Sequence, residues 1–327
     1  MMDKPYVTVG EIAEHLGCQV LGDKSKKIFE ISLYHDSNEN SLTYVPYGKI
    51  DLIPEICAGA ILTKISVGLP LHRNYIISKY DPHEMLADVI AFLIEKGLYC
   101  CDVSEKPMLS DSSEIAENVF VQNGAVIGDY TVLSPGVYVG KNARIGNNCV
   151  IGANTIIGDN CTIGDNVKIG TCCSIGTENF EYHKFKDGWK KIPAVGKVFI
   201  GNYVQVGGNV VVEKGTIGTT VIGDFTQIEN LVQIGHEAKI GVQCHIVALT
   251  AIAGWAEIGD YVDIYGQSAV SNHVKIGDHT VLFARSGVDK DIDHNMIISG
   301  FPAQNHHNEL KYQAFLRKLF RKSIKKR

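Results

Sequence analysis

No stretch of this 327-residue chain approaches the roughly 20 consecutive apolar residues of a membrane-spanning helix. The opening MMDKPYVTVGEIAEHLG lacks the apolar run of a secretory signal, so export is not expected. None of the nine cysteines pairs with another at the spacing of a zinc site. Acidic residues are absent from residues 311–327, which carry eight Lys or Arg, so the rest of a chain of net charge −5 stands at −13. A basic tail on an acidic body suggests an acidic partner, and a solvated helix face is the plain alternative. What remains is an ordinary soluble balance, 45% apolar and 20% charged, enough for one large unit and a smaller one.

What is present is a beat. An apolar residue recurs every sixth position from Ile115 through Val121, Ile127 and Leu133 to Ile175. It resumes at Ile200, Val206 and Val212, slips once, and runs from Ile222 to Val288. Many units read I-G-D-N-x-x, as at Ile157 and Ile163. Hexapeptide periodicity marks a parallel β-helix, here expected to be left-handed, in which three hexads close one triangular coil. Cys149, Cys161, Cys173 and Cys244 share the fifth place of their hexads, where small residues pack. They are expected to be core thiols in a reducing cytoplasm.

Three regions follow. Residues 1–104 lack the repeat and form an α+β domain. Its helices are expected at Thr8–Leu16, stopped by Gly17, and after Asp81-Pro82, stopped by Gly97. Short strands are expected at Ile28–Leu33, Leu42–Val45, Ala60–Leu62 and Tyr75–Ser78. Cys100 to Asp111 reads as a linker. Residues 112–299 are the β-helix, roughly nine coils at three hexads each. Its one long interruption, between Ile175 and Ile200, holds Phe180, Tyr182, Phe185, Trp189, Lys190, Lys191 and Pro193. A long aromatic insertion in a strict solenoid marks a binding face. Residues 304–327 form a basic C-terminal helix with Leu310, Phe315, Leu316, Leu319 and Phe320 as its apolar stripe. It is expected to dock on its own body or on the same helix of a neighbouring subunit.

Two of the twelve histidines have notable register. His236 is third in its hexad and His273 fourth in its own, 37 residues apart. Two coils span about 36 residues, so both are expected on one face, on the order of 10 Å apart along the axis. Such a pair suits the two ends of one extended site, with one imidazole at the reacting centre. A lone histidine is more often a satisfied surface residue. A metal reading, by analogy with β-helix carbonic anhydrases and their three zinc-binding histidines, needs a third His soon after the second, and Asp278 and His279 follow here.

The chain resembles the bacterial UDP-3-O-(3-hydroxyacyl)glucosamine N-acyltransferases of lipid A synthesis over essentially its whole length. The resemblance rests on VTVGEIAEHLG, AGAILTK, IGTENFEYHKFKDGWKKIPAVGKVFIG, IENLVQIGHEAKIG, AIAGWAEIGD, HVKIGD, RSGVDKDI and SGFPAQ, in that order. It implies an N-acyltransferase working without a cofactor, because the thioester of an acyl carrier protein is already activated. It implies His236 as general base in an N-x-x-Q-I-x-H motif completed by Asn230 and Gln233, and His273 as a second active-site histidine. It implies that the loop bearing Phe180, Tyr182, Trp189 and Lys191 lines the acceptor site. It implies a cytoplasmic homotrimer with sites between subunits. The basic tail, through Lys311, Arg317, Lys318 and Arg321, is then expected to hold the acidic carrier protein.

The nucleotide segment of the family, roughly F-x-x-N-P-K-Y, maps to Tyr44 through Ile50, and Tyr44, Tyr47 and Lys49 are the candidate nucleotide-binding residues. Tyr47 replaces the Asn and Ile50 the second aromatic ring. The family's T-T-I-D-R-G reads Val211-Val212-Glu213-Lys214-Gly215, and Glu237 follows His236 in place of Asn. A backbone N–H such as that of Gly254 is the candidate oxyanion donor. Phe283 and Val288 are candidates to border an acyl groove, alongside ordinary packing roles. Two other readings stay open: an N-acyltransferase acting on another nucleotide-linked amino sugar for surface polysaccharide, and a non-catalytic β-helix scaffold.

Overall fold

Each hexad contributes a two-residue strand and a corner, and the apolar residue of the strand points inward. A computed structural model describes the fold at residues 5–45, 49–64, 68–99, 105–186 and 188–324. The packing of the chain divides it into two units. One comprises residues 1–102 with Phe180–Gly196 and Thr216–Gly218; the other comprises 103–179, Lys197–Gly215 and the chain from Thr219 onward.

The second unit is the β-helix. It has three parallel faces visited in turn. Face A runs from Met108–Leu109 to Lys275–Ile276, face B from Glu114–Ile115 to Ile297–Ser299, and face C from Phe120–Val121 to Gly287–Val288. Among the described residues faces A and C each hold nine strands. Strands pair in register with their counterparts one coil later, as Val126 with Arg144 and Ile127 with Ile145, with a register shift after Ile175 where Thr177 meets Glu213. Met108–Leu109 already pairs with Val126–Ile127, so the β-helix opens before the expected boundary at 112 and shortens the linker. At the far end Gln304–Asn305 turns back antiparallel on Ile298–Ser299 and closes face B.

From Ile127 onward the beat residues form one continuous core, while Ile115 in the first coil is exposed. Ile145, Ile163, Ile240 and Ile258 are almost wholly buried, as are the fifth-place Ala125, Cys149, Cys161, Cys173 and Cys244. Each buried isoleucine contributes about 1.5–3 kcal/mol relative to exposure. The corners explain the rest of the I-G-D-N unit. The fourth residue adopts a left-handed conformation, as at Asn142 (φ 56°), Asn148 (φ 54°) and Asn166 (φ 58°), a region asparagine tolerates better than most side chains. The third residue turns its side chain to the coil before it. Asp165 Oδ1 accepts from Asn147 N–H at 2.7 Å, and Asn202 Oδ1 from Asp165 N–H at 2.8 Å. The motif residues therefore build corners.

The first unit is α+β. Thr8 caps helix α1 (Val9–His15): its hydroxyl accepts from Glu11 N–H while the Glu11 carboxylate accepts from Thr8 N–H, a reciprocal box. Asp81 caps α2 (Pro82–Glu95), whose apolar stripe Met85, Leu86, Val89, Ile90 and Leu93 is buried. A five-stranded sheet orders Gln19–Leu21, Tyr75–Ile77, Ala60–Thr63, Ser41–Val45 and Glu30–Ile31 side by side. The interruption of the repeat belongs here. Ile192 is buried in this unit's core, with Val195 and Ile217 packed beside it. Both breaks in the beat thus contribute residues to the same unit.

Helix α3 (His306–Ile324) is held at its start, where Ser299 Oγ and His306 Nδ1 lie 2.8 Å apart and Phe283 meets the His306 ring edge-on. Beyond that turn Leu310, Tyr312, Phe315, Leu316 and Leu319 are all exposed. Among the described residues no helix is long and apolar enough to cross a membrane.

Burial pushes the Cys161 thiol up to about 12 and that of Cys244 to about 11, and raises Cys149 and Cys173 as well. Because the thiolate is the reactive form, an alkylating reagent should modify the exposed Cys57 and Cys172 in native protein. The four core thiols should react only after denaturation. Peptide mapping that found any of the four alkylated in folded protein would contradict this packing.

Candidate active site

His236 lies on the corner between the face C strand Gln233–Ile234 and the face A strand Lys239–Ile240. His273 lies on the same corner two coils on, since Gln233–Ile234 pairs with Ala251–Ile252 and that strand with Ala269–Val270. The structure thus places the pair at a corner and not on a flat face. They are also one column out of line. His236 shares its column with Gly254, and His273, in the left-handed position (φ 62°), shares its own with Glu237 and Trp255.

His236 is 8% exposed and Glu237 2%. His236 Nδ1 and Glu237 Oε2 are 2.6 Å apart. An ionised carboxylate can only accept, so Nδ1 carries the hydrogen, and in the neutral ring Nε2 then keeps its lone pair. Glu237 is fixed in turn by its backbone N–H, which donates to Thr220 Oγ1 at 2.9 Å. Glu213, one coil earlier, accepts from the His236 N–H at 3.3 Å and from Gln233 Nε2 at 3.2 Å. Gly254 supplies the floor. A Cβ built there would stand 2.6 Å from His236 Nε2 and 2.9 Å from two ring carbons. Trp255 donates its N–H to His236 O at 2.9 Å, and its indole stacks on the His273 ring, centroids 5.9 Å apart at 15°.

Asn230 does not join this group. It occupies the preceding corner, between faces B and C, and its Oδ1 accepts from Gly208 N–H at 2.7 Å as part of a corner ladder. His279 stands at the corner between faces A and B, stacked on Tyr261. Among the described residues no three His, Cys, Asp or Glu side chains are grouped as a metal ion requires. Val288 is buried in the core and cannot border a groove, whereas Phe283 is partly exposed against Tyr265 and His306.

The interrupting loop is a β-hairpin of the first unit, Tyr182–Phe185 against Gly188–Lys191. Its aromatic side chains are presented outward: Phe180 and Trp189 are strongly exposed, with Lys184 over the Trp189 ring and Lys191 over Tyr182. Lys190 pairs with Asp88 of α2, and Glu181 bonds His83 at 3.3 Å and the Thr216 hydroxyl. Tyr44 faces the His83 ring, which faces His183. The candidate nucleotide residue Tyr44 therefore shares a ring cluster with the hairpin. Lys49 is exposed, and Tyr47 lies outside the described residues. Lys311, Arg317, Lys318 and Arg321 are exposed along α3. His83 and His183 were not singled out by sequence reasoning. Glu213 and Glu237 were marked as departures from the family's pattern, but not their hydrogen bonds to His236.

The bacterial transferase hexapeptide (six repeats) family matches residues 142–177. A protein of Dechloromonas aromatica named UDP-3-O-acylglucosamine N-acyltransferase is 37% identical over 259 residues, which cover 77% of this chain and 74% of that protein. One of Gloeobacter violaceus, named UDP-3-O-acylglucosamine N-acyltransferase 1, is 62% identical over 124 residues, 38% of this chain and 36% of its own. Among solved structures, a UDP-N-acetylglucosamine acyltransferase from Bacteroides fragilis superposes with a TM-score of 0.50 at 24% identity, over 61% of this chain and 73% of that one. That likeness bears on the fold alone.

Two outcomes follow from the geometry. Gly254→Ala should displace the His236 ring, because its Cβ has no other place to go. Imidazole NMR should show shifted His236 signals at a nearly unchanged melting temperature; unmoved signals would refute the close contact. Second, the Glu181 hydrogen bond raises the pKa of His83 against the opposing effect of burial. The charged pair stabilises fully below the ordinary His value of about 6.5 and is lost as pH rises through the raised folded value. Hydrogen exchange in the Tyr182–Lys191 hairpin should therefore quicken as pH rises through that range, beyond the intrinsic base dependence, and His83→Gln should remove the extra step.

Proposed function

The chain belongs to the UDP-3-O-acylglucosamine N-acyltransferase family, and from that premise we propose that it moves a 3-hydroxyacyl group from acyl carrier protein to the amine of a UDP-linked glucosamine derivative. This is the N-acylation step of lipid A synthesis, carried out in the cytoplasm. The observation that carries the reading is the buried pair of His236 and Glu237, 2.6 Å apart. It leaves Nε2 as a base at a corner floored by Gly254.

In this mechanism the amine nitrogen attacks the thioester carbonyl and the C–N bond forms. Nε2 of His236 takes the proton the nitrogen must lose, while Glu237 holds Nδ1–H and stabilises the imidazolium. The tetrahedral intermediate collapses, the C–S bond breaks, and the imidazolium returns its proton to the departing thiolate. The thioester is activated already, so no covalent enzyme intermediate is needed. A backbone N–H of the corner, that of Gly254 being the candidate, would receive the oxyanion. His273, its ring oriented by Trp255, would hold a distal polar group of the ligand.

We assign Tyr44 and Lys49 to nucleotide recognition, and Phe180, Tyr182, Trp189, Lys191 and Gln233 to the acceptor. The exposed cations of α3 are assigned to the acidic carrier protein, which the charge asymmetry of the chain favours. A homotrimer is supported by the small exposed residues Ala251 and Ala269, one coil apart on face C, which would let a second copy approach closely.

Purified protein offered 3-hydroxyacyl carrier protein and UDP-3-O-acylglucosamine should form the N-acyl product. His236→Ala should lower the rate by about 10²–10⁴-fold with its circular dichroism unchanged. Near-normal turnover in that variant would sink the assignment of the base. Turnover with acetyl-coenzyme A and a different amino-sugar nucleotide, but not with this pair, would transfer the chain to surface-polysaccharide acylation.

A further inference from the structure

Glu213 ends the face C strand Val211–Glu213, whose first two residues pair with Gln233 and Ile234. Its half-buried carboxylate accepts from the Gln233 amide at 3.2 Å and from the His236 backbone N–H at 3.3 Å. Both donors are neutral. The neighbouring ammonium, Lys214 Nζ, is engaged elsewhere, 2.5 Å from Glu178 Oε1. Glu237, the other carboxylate at this corner, is committed to the His236 ring. Glu213 is therefore a carboxylate held beside the base by neutral donors, with acceptor capacity left over and no cation among its hydrogen-bond partners in the described residues.

Partial burial of a charge costs free energy unless a counter-charge arrives. The reaction supplies one. An aliphatic amine flanked by electron-withdrawing oxygens titrates near the α-amino range of about 7.7–8.0, so an amino sugar reaches the site partly as an ammonium ion. A charge-assisted N–H···O bond to a carboxylate is stronger than a neutral one. A hydroxyl at the same position offers a single neutral donor.

We propose that Glu213 recognises the amine of the acceptor as its ammonium form and thereby selects an amine over a hydroxyl at the acylated position. This rests on the acyl-transfer reading above. The protons balance. The ammonium sheds one proton to solvent before attack, and the second follows the His236 route and leaves on the thiol. Gln233 is then a positioning residue, aiming the carboxylate from the next coil.

The test is equilibrium binding by calorimetry, with no turnover required. Wild-type protein and Glu213→Gln would be titrated with UDP-3-O-acylglucosamine and with its analogue bearing a hydroxyl in place of the amine, in mildly acidic buffer. The glutamine keeps a carbonyl oxygen for the His236 N–H. Wild type should prefer the amine by about 10- to 100-fold, the size of one charged hydrogen bond, and Glu213→Gln should bring the ratio near one. A ratio of affinities cancels any loss of folded protein, and Glu213→Asp, which keeps the charge, should retain part of the preference. An unchanged ratio in Glu213→Gln, or equal affinities in wild type, would overturn the assignment of Glu213 alone. Failure of wild type to bind either nucleotide sugar would overturn the acyl-transfer reading and this inference with it.

Discussion

The whole β-helix unit depends on in-register parallel pairing between each coil and the next. The strand N–H and C=O groups of one hexad are satisfied by the hexads one coil away, as where Val126 meets Arg144 and Ile127 meets Ile145. A shift of one residue would turn the buried isoleucines outward and leave those groups unpaired. Freedom to vary is thereby confined to the corners and to points where the chain leaves the coil. The proposed chemistry is assigned to such places. His236, Glu237, Gly254, Trp255 and His273 are all corner residues, and the aromatic hairpin is an excursion between two coils.

The same constraint preorganises the site. Columns of corner residues follow one another at about 4.8 Å, so a side chain is set by the residue one coil away. Gly254 makes room for an imidazole in the column before it, and Trp255 gives His273 a surface to lie on. Glu213 reaches forward one coil to the His236 main chain. A rigid ladder of this kind holds the His236 imidazole and the Glu237 carboxylate without relying on mobile loops, which suits the proposed reaction, whose barrier would be lowered by orientation and proton acceptance. The left-handed backbone at Glu237 (φ 53°) is an unfavourable conformation for a long side chain. At this corner it accompanies the bond between the carboxylate and the imidazole.

The hexad beat foretold the sheet faces and the buried thiols, because inward-facing residues repeat wherever the backbone does; it placed the two histidines on one flat face, whereas they stand at a corner. The capping residues Thr8 and Asp81 likewise announced both helices of the first unit. Other features were not readable in this way. Asn230 belongs to a recognised motif, yet its carbonyl serves a corner ladder. Its role depends on which of three corners it occupies, and spacing by six does not distinguish corners unless coils are counted. The interruption was legible as a loop, but its membership of the first unit was not. That rests on Ile192, Val195 and Ile217, three apolar residues with no period of their own.

By itself, then, the sequence determined the β-helix, the place of its interruptions and the family. These follow from period and local motif, which are one-dimensional properties. Only the tertiary structure decided that Glu237 turns inward to His236, that Glu213 faces the same residue with neutral partners, and that Gly254 is the floor beneath the ring. The reason is physical. Side-chain direction at a left-handed corner, and the distance across one coil, are set by packing between residues far apart in the chain, and no local pattern records them.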